Sequence, residues 1–149
     1  MITWITKNVA IGEYIDAINR ELLEKEKIDC ILCLRFDVSI KEEAIKNFLE
    51  IPLFHISVGC HQGLEPIKVE LRTSAYMLKL LAKKYKRILV HCTAGMDRSP
   101  FVVALYLAKW KCDTEWTYGL PSDFKYWFTE AYKLIKEKRP QIIEYVEWV

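Results

Sequence analysis

One ten-residue run holds a thiol, a guanidinium and a hydroxyl at close spacing: His91-Cys92-Thr93-Ala94-Gly95-Met96-Asp97-Arg98-Ser99-Pro100. It leaves the apolar triplet Ile88-Leu89-Val90 and enters an apolar stretch, with Pro100 in a first helical turn where a missing N–H costs little. Five residues between Cys92 and Arg98 are enough to wrap a loop around an anion. The N–H groups of Thr93 to Arg98 can turn inward as a cradle, and the positive end of the helix that follows adds to them. Gly95 permits a backbone angle that other residues resist. Arg98 can grip two phosphate oxygens in a bidentate fork. A cation and a helix N-terminus favour thiolate over thiol, so Cys92 is expected to be a nucleophile at neutral pH. Ser99 can donate to that sulfur and make it a better leaving group when water attacks a phosphocysteine. Arg98 and the cradle would stabilise charge on the equatorial oxygens during transfer. This chemistry needs no metal, and neither a metal site nor a cofactor is expected.

The elements that must position this run follow from the apolar pattern. Ile2–Ile5, Val9–Ile11, Ile28–Leu34, Leu53–Ile56 and Arg87–His91 read as strands, and the nearly continuous apolar run at 28–34 suits a strand buried on both faces. Tyr14–Lys25, Lys41–Glu50, Ile67–Lys84 and Ser99–Lys109 read as helices, with Ile15, Ile18, Leu22 and Leu23 near helical spacing in the first, Ala44, Ile45, Phe48 and Leu49 inward in the second, and apolar residues at Val69, Leu71, Tyr76, Leu80 and Leu81 in the third. Lys83, Lys84 and Lys86 suit the negative end of that third helix. Ser57–Pro66 reads as a loop, Ser122 or Asp123 can cap a further helix reaching Lys138, and a short one is expected after Pro140. Strands alternating with helices imply βαβ units around a largely parallel sheet, with ligands beyond the carboxyl ends of the strands. The run at 91–100 falls there.

Composition narrows the class. The chain has 149 residues, 52% apolar and 28% charged, which suits a single domain over 1–149 with one sizeable core. A formal charge of +2 argues against nucleic acid as a partner. No apolar stretch is long enough to cross a membrane and no signal peptide is visible, so a cytoplasmic protein without stable membrane association is expected. The five cysteines show no disulfide spacing. A monomer is expected.

His-Cys-x5-Arg-Ser resembles the signature loop of the protein tyrosine phosphatase superfamily. Trp4-Ile5-Thr6 to Ile11-Gly12, Asp16-Ala17, Leu22 to Ile28 and Ile31-Leu32-Cys33-Leu34 resemble the opening elements of its small dual-specificity branch, and Ala131-Tyr132 to Lys138-Arg139-Pro140 its closing helix. The resemblance covers nearly the whole chain. It implies an α/β fold with a central, mostly parallel sheet of about five strands flanked by helices. It also implies a cysteine-dependent hydrolase of phosphate monoesters, phosphotyrosine with phosphoserine and phosphothreonine on proteins, with Cys92 as nucleophile, Arg98 as phosphate clamp, Ser99 as thiolate partner and Thr93, Ala94, Gly95, Met96, Asp97 and Arg98 as the cradle.

One expected part is missing. Such enzymes carry an aspartic acid on a mobile loop before the cysteine to protonate the leaving oxygen, and Gly59-Cys60-His61-Gln62-Gly63-Leu64-Glu65-Pro66 has none. Asp97, Glu65 and His61 are the candidate replacements. An aspartate beside the loop arginine resembles myotubularin-type lipid phosphatases, although the lysine usual before it is Met96 here; Thr93-Ala94-Gly95-Met96 also resembles the loop of plant glucan phosphatases. The alternatives to a protein phosphatase are therefore a phosphoinositide or other non-protein phosphatase, and a module that binds phosphate without turnover. Plainer readings stand beside these. His91 orders the loop by a hydrogen bond. Cys30 and Cys33 are core residues on opposite faces of a strand. Cys60 packs its loop or pairs with Cys92 under oxidation. Asp37 makes a surface contact or touches the site. The lysines from Lys79 to Arg87 are a solvated helix end or an acidic-substrate dock. Trp4, Trp110 and Trp127 belong to the core, while Trp116, Tyr118 and Phe124 cover the core or shape access.

Overall fold

The computed structural model describes residues 1–35, 50–59, 68–93, 96–111 and 124–143. The strands are β1 (Thr3–Trp4), β2 (Val9–Gly12), β3 (Cys30–Cys33), β4 (Leu53–His55) and β5 (Ile88–His91), in the order β1-β2-β5-β3-β4. Only β1 runs antiparallel, to β2; the other pairings are parallel. Every residue of β2, β3 and β5 is buried, as continuous apolar strands between two helical layers must be. This is the expected mostly parallel sheet, closed off by one antiparallel edge strand.

Alternation along the strands divides the core. Val9, Ile11, Cys30, Leu32, Ile88 and Val90 point toward the larger cluster, which includes Leu71, Leu78, Phe101, Phe128 and Tyr132 from α3 (Lys68–Lys84), α4 (Arg98–Tyr106) and α5 (Phe124–Lys138). Ala10, Ile31 and Leu89 point the other way, toward Ala17 and Leu23 on α1 (Tyr14–Ala17) and α2 (Arg20–Lys25). Phe101 and Phe128 meet edge to face at 5.1 Å between centroids, which locks α4 to α5.

Several sequence expectations are corrected. The helix expected over Tyr14–Lys25 is two helices, because the Asn19 side chain accepts from Leu22 N at 3.1 Å and starts α2 afresh. Ile15 consequently faces solvent at 62% exposure, and Leu23 carries the burial. On α3 the inward stripe is Leu71, Ser74, Ala75, Leu78 and Leu81, and the apolar residues Val69, Tyr76 and Leu80 are exposed. The helix after the site loop is α-helical only to Tyr106 and continues as a π-helical segment, Leu107–Lys111. Trp4, Trp110 and Trp127 are only partly buried, packed on the rim of the core, while Phe124 lies within it. The expected helix at 41–50, apart from Glu50, and the cap at Ser122 or Asp123 fall outside the described residues, as do Trp116, Tyr118 and most of the loop Ser57–Pro66.

The registers matter most for function. Gly12, Cys33 and His91 are level across the sheet, and His55 is level with Cys33. Four parallel strands thus end on one line, and the loop that follows β5 leaves from the middle of it. Gly12 packs tightly there: a Cβ would lie 3.0 Å from Leu89 Cδ1 and 3.1 Å from Asp16 Oδ2, so both side chains would have to shift by a few tenths of an ångström.

Candidate active site

The loop after β5 is held from three sides by main-chain hydrogen bonds. Leu34 N donates to His91 O at 2.8 Å from the end of β3. Tyr14 N donates to Thr93 O at 3.0 Å from the start of α1, and Ile143 N donates to Met96 O at 2.7 Å from the chain beyond α5. His91 is fully buried, and its Nδ1–H donates to the Cys92 carbonyl at 3.0 Å. That is the ordering role expected of it. Asp97 caps α4: its side chain accepts from Arg98 N, and its carbonyl accepts from Phe101 N at 3.1 Å.

Within this frame Cys92 is 1% exposed, at the floor of the loop, and its Sγ lies 3.3 Å from Ser99 Oγ. Asp97 Oδ1 lies 4.0 Å from the same sulfur. Arg98 is 6% exposed and its guanidinium is satisfied on several sides. Nη1 donates to Val58 O at 3.0 Å and to Leu34 O at 3.4 Å, Nη2 to Thr93 Oγ1 at 3.2 Å, and Nε to Asp97 Oδ1 at 3.4 Å. A buried guanidinium demands such partners, because an unpaired charge at this depth would cost several kcal/mol, on the order of 3–5. The result is a thiol, a hydroxyl and a fixed cation at the N-terminus of one helix. That set can accept a phosphoryl group on sulfur and hold its oxygens.

Of the expected site residues, Ser99 and Asp97 lie at the Cys92 sulfur, Thr93 accepts from Arg98 in the same loop, and Met96 is met by Ile143 N. Ala94 and Gly95, the acid candidates Glu65 and His61, and Cys60 and Asp37 lie outside the described residues. What sequence reading missed is mostly main chain. The carbonyls of Leu34 and Val58 orient Arg98, and Ile143 N braces Met96. Carbonyl and amide groups have no residue signature, so only the strand ends could have hinted at them. Tyr14 was also missed; the Arg35 guanidinium stacks 3.6 Å from its ring centroid beside the loop. So was Arg139, 1% exposed, whose Nη1 donates to Met1 O and Thr3 Oγ1, both at 2.8 Å. Burial pulls Arg139 below its ordinary value, against the opposing charges of Glu13, Asp16 and Cys92. Cys30 and Cys33 are buried, and burial, with Asp29 adding to it, pushes the Cys30 thiol up to about 12.

Comparison with known proteins agrees with this geometry. The family model described as dual specificity phosphatase, catalytic domain, matches residues 9–119. Tyrosine-protein phosphatase vhp-1 of Caenorhabditis elegans is 30% identical over 146 residues, covering 95% of this chain and 19% of that protein. Dual specificity protein phosphatase 14 of Mus musculus is 26% identical over 141 residues, covering 95% of this chain and 62% of that protein. The chain thus spans less than two thirds of either relative. Among solved structures, PTP-2 phosphatase of Cydia pomonella superposes with a TM-score of 0.73 at 19% identity, covering 99% of this chain and 84% of that one; at that identity the likeness speaks for the fold. Among the described residues no helix is long and apolar enough to cross a membrane.

Proposed function

The chain belongs to the dual specificity phosphatase catalytic domain family, and from that premise we propose that it hydrolyses phosphate monoesters through a phosphocysteine on Cys92. The Cys92 thiolate attacks phosphorus in line, forming the S–P bond as the P–O bond to the leaving group breaks. The leaving oxygen takes a proton from a nearby acid. Water then attacks the phosphocysteine, the S–P bond breaks, and inorganic phosphate leaves. Arg98 clamps the equatorial oxygens throughout. Ser99 donates to the sulfur as it departs in the second step. One observation carries the reading: Cys92 Sγ sits 3.3 Å from Ser99 Oγ in the loop where Arg98 is buried.

Asp97 is our first choice of acid, since its carboxylate is 4.0 Å from the sulfur; Glu65 is the second. Phosphotyrosine, and phosphoserine or phosphothreonine, on proteins are the proposed substrates, in keeping with the family. The whole chain, 1–149, acts as one catalytic domain, monomeric and cytoplasmic, without nucleic acid as a partner. Asp97 beside Arg98 supports one second reading, a phosphoinositide or other non-protein phosphatase.

The test is metal-free hydrolysis of p-nitrophenyl phosphate, followed by phosphopeptides and inositol lipids, by wild type, Asp97→Ala and Glu65→Gln across the acid to neutral range. The acid's variant is expected to lose the basic limb of the pH profile and to lose most on alkyl phosphates, whose leaving oxygens need the proton. If neither variant changes the profile, the acid assignment fails. If wild type binds phosphate but turns over no substrate, a binding module replaces the enzyme.

A further inference from the structure

The edges of the Arg98 guanidinium face different kinds of partner. Nη1 is committed to main-chain carbonyls, Val58 O at 3.0 Å and Leu34 O at 3.4 Å, which fix the plane of the group. The fork that remains for an oxyanion is Nε with Nη2. That fork already holds two oxygens of the chain itself: Asp97 Oδ1 on Nε at 3.4 Å and Thr93 Oγ1 on Nη2 at 3.2 Å. Asp97 Oδ1 also accepts the main-chain N–H of Arg98 at the start of α4, and it lies 4.0 Å from the Cys92 sulfur. A guanidinium fork, a helix-start N–H and a nearby sulfur are what the oxygens of an arriving phosphoryl group must find.

The geometry points to Asp97 and Thr93 as placeholders: their side-chain oxygens sit where two phosphate oxygens sit on binding, and substrate must displace them. The inference rests on reading this loop as a phosphate site. It adds that affinity for phosphate is a difference between two ion pairs on one cation, an internal carboxylate being exchanged for an incoming phosphate. A carboxylate that stayed in place would face the phosphate as a like charge at contact distance. The Asp97 side chain is 19% exposed, which leaves it a way outward. The plainer account is that Asp97 only caps α4. The two accounts part on the asparagine variant, because asparagine caps as well as aspartate but carries no charge to hold Arg98.

Titration calorimetry of inorganic phosphate into the full chain tests this in a Cys92→Ser background, where no turnover intervenes. Asp97→Asn is expected to bind phosphate about tenfold more tightly than its parent, with an unchanged thermal midpoint. Asp97→Ala is expected to tighten binding similarly while melting earlier for want of the cap. Thr93→Val, which removes a neutral oxygen, is expected to gain about twofold, and it remains as a test should the loop not tolerate either change at Asp97. Unchanged or weaker phosphate binding in the folded variants, with the parent still binding, overturns the placeholder and leaves the phosphatase reading standing. Failure of every form, parent included, to bind phosphate overturns both.

Discussion

Cys30 and Cys92 sit on neighbouring parallel strands or just past their ends, and both are almost wholly buried, at 0% and 1% exposure. They are nevertheless different chemical objects. Cys30 begins β3 among apolar side chains of the larger cluster, with Asp29 next to it, and its thiol is pushed up to about 12. Cys92 lies one residue past β5, where the chain stops pairing with its neighbours and turns into a helix start. There the sulfur meets the Ser99 hydroxyl at 3.3 Å, in the same loop as the Arg98 guanidinium. Burial alone therefore says nothing about the reactivity of a cysteine. What matters is whether the burying groups are aliphatic carbons or oriented dipoles and cations.

The largest effect that would break this contrast is on turnover. Cys92→Ser is expected to lose aryl phosphate hydrolysis by about 10⁴-fold or more, because an alkoxide precursor is a poor substitute for a thiolate. Cys30→Ala is expected to keep kcat/KM within about twofold and to lose roughly 1–2 kcal/mol of stability from the small cavity left behind. Steady-state kinetics and a denaturant curve on both variants decide the matter; a dead Cys30→Ala that still folds would show that the contrast was drawn wrongly.

A finer effect belongs to Ser99. A hydrogen bond to a charged group contributes about 1.5–3 kcal/mol, so Ser99→Ala is expected to slow the second step by about 10–100-fold. Because the hydroxyl matters most as sulfur leaves, breakdown of the phosphocysteine should slow more than its formation. Stopped-flow with an aryl phosphate would then show a burst of phenolate larger than that of wild type, followed by a slow steady rate. Equal slowing of both phases would assign Ser99 to holding the loop rather than to stabilising the sulfur.

How far the sequence alone reached depends on whether side chains or main chain make the structure. The buried strands were legible because runs such as Ile88-Leu89-Val90 leave no polar face, and the site was legible because Cys92, Arg98 and Ser99 are side chains at fixed spacing on one turn. The break before α2 was not, because Ile15, Ile18 and Leu22 keep helical spacing across it and only the Asn19 cap marks it. The inward face of α3 was not legible for a related reason: Val69, Tyr76 and Leu80 form an apolar stripe beside the buried one, and composition does not say which stripe meets the sheet. At the site, the groups that aim Arg98 are carbonyls of Leu34 and Val58, residues whose side chains have nothing to do with phosphate.

The smallest expected effect is on alkaline stability, and it isolates Cys30. Its thiol has an ordinary value of 9.0 and is raised to about 12 in the fold, by burial first and by Asp29 second. Between those two values the unfolded chain has given up this proton while the folded chain keeps it. The unfolded state then binds fewer protons, so stability falls as pH rises. The stabilisation from keeping Cys30 neutral is complete below 9.0 and is lost on the way to about 12. Its slope is at most about 1.4 kcal/mol per pH unit for a single group. Tyrosines and lysines titrate over the same range, Tyr106 being raised by burial as well, but they are common to wild type and Cys30→Ala. The difference between the two proteins' denaturant midpoints, followed upward from pH 9.0, therefore reports Cys30 alone. Wild type is expected to lose its advantage over Cys30→Ala as pH rises. A gap that stays constant would mean that Cys30 ionises as readily folded as unfolded, and the physical distinction between the two buried cysteines would have to be sought elsewhere than in their surroundings.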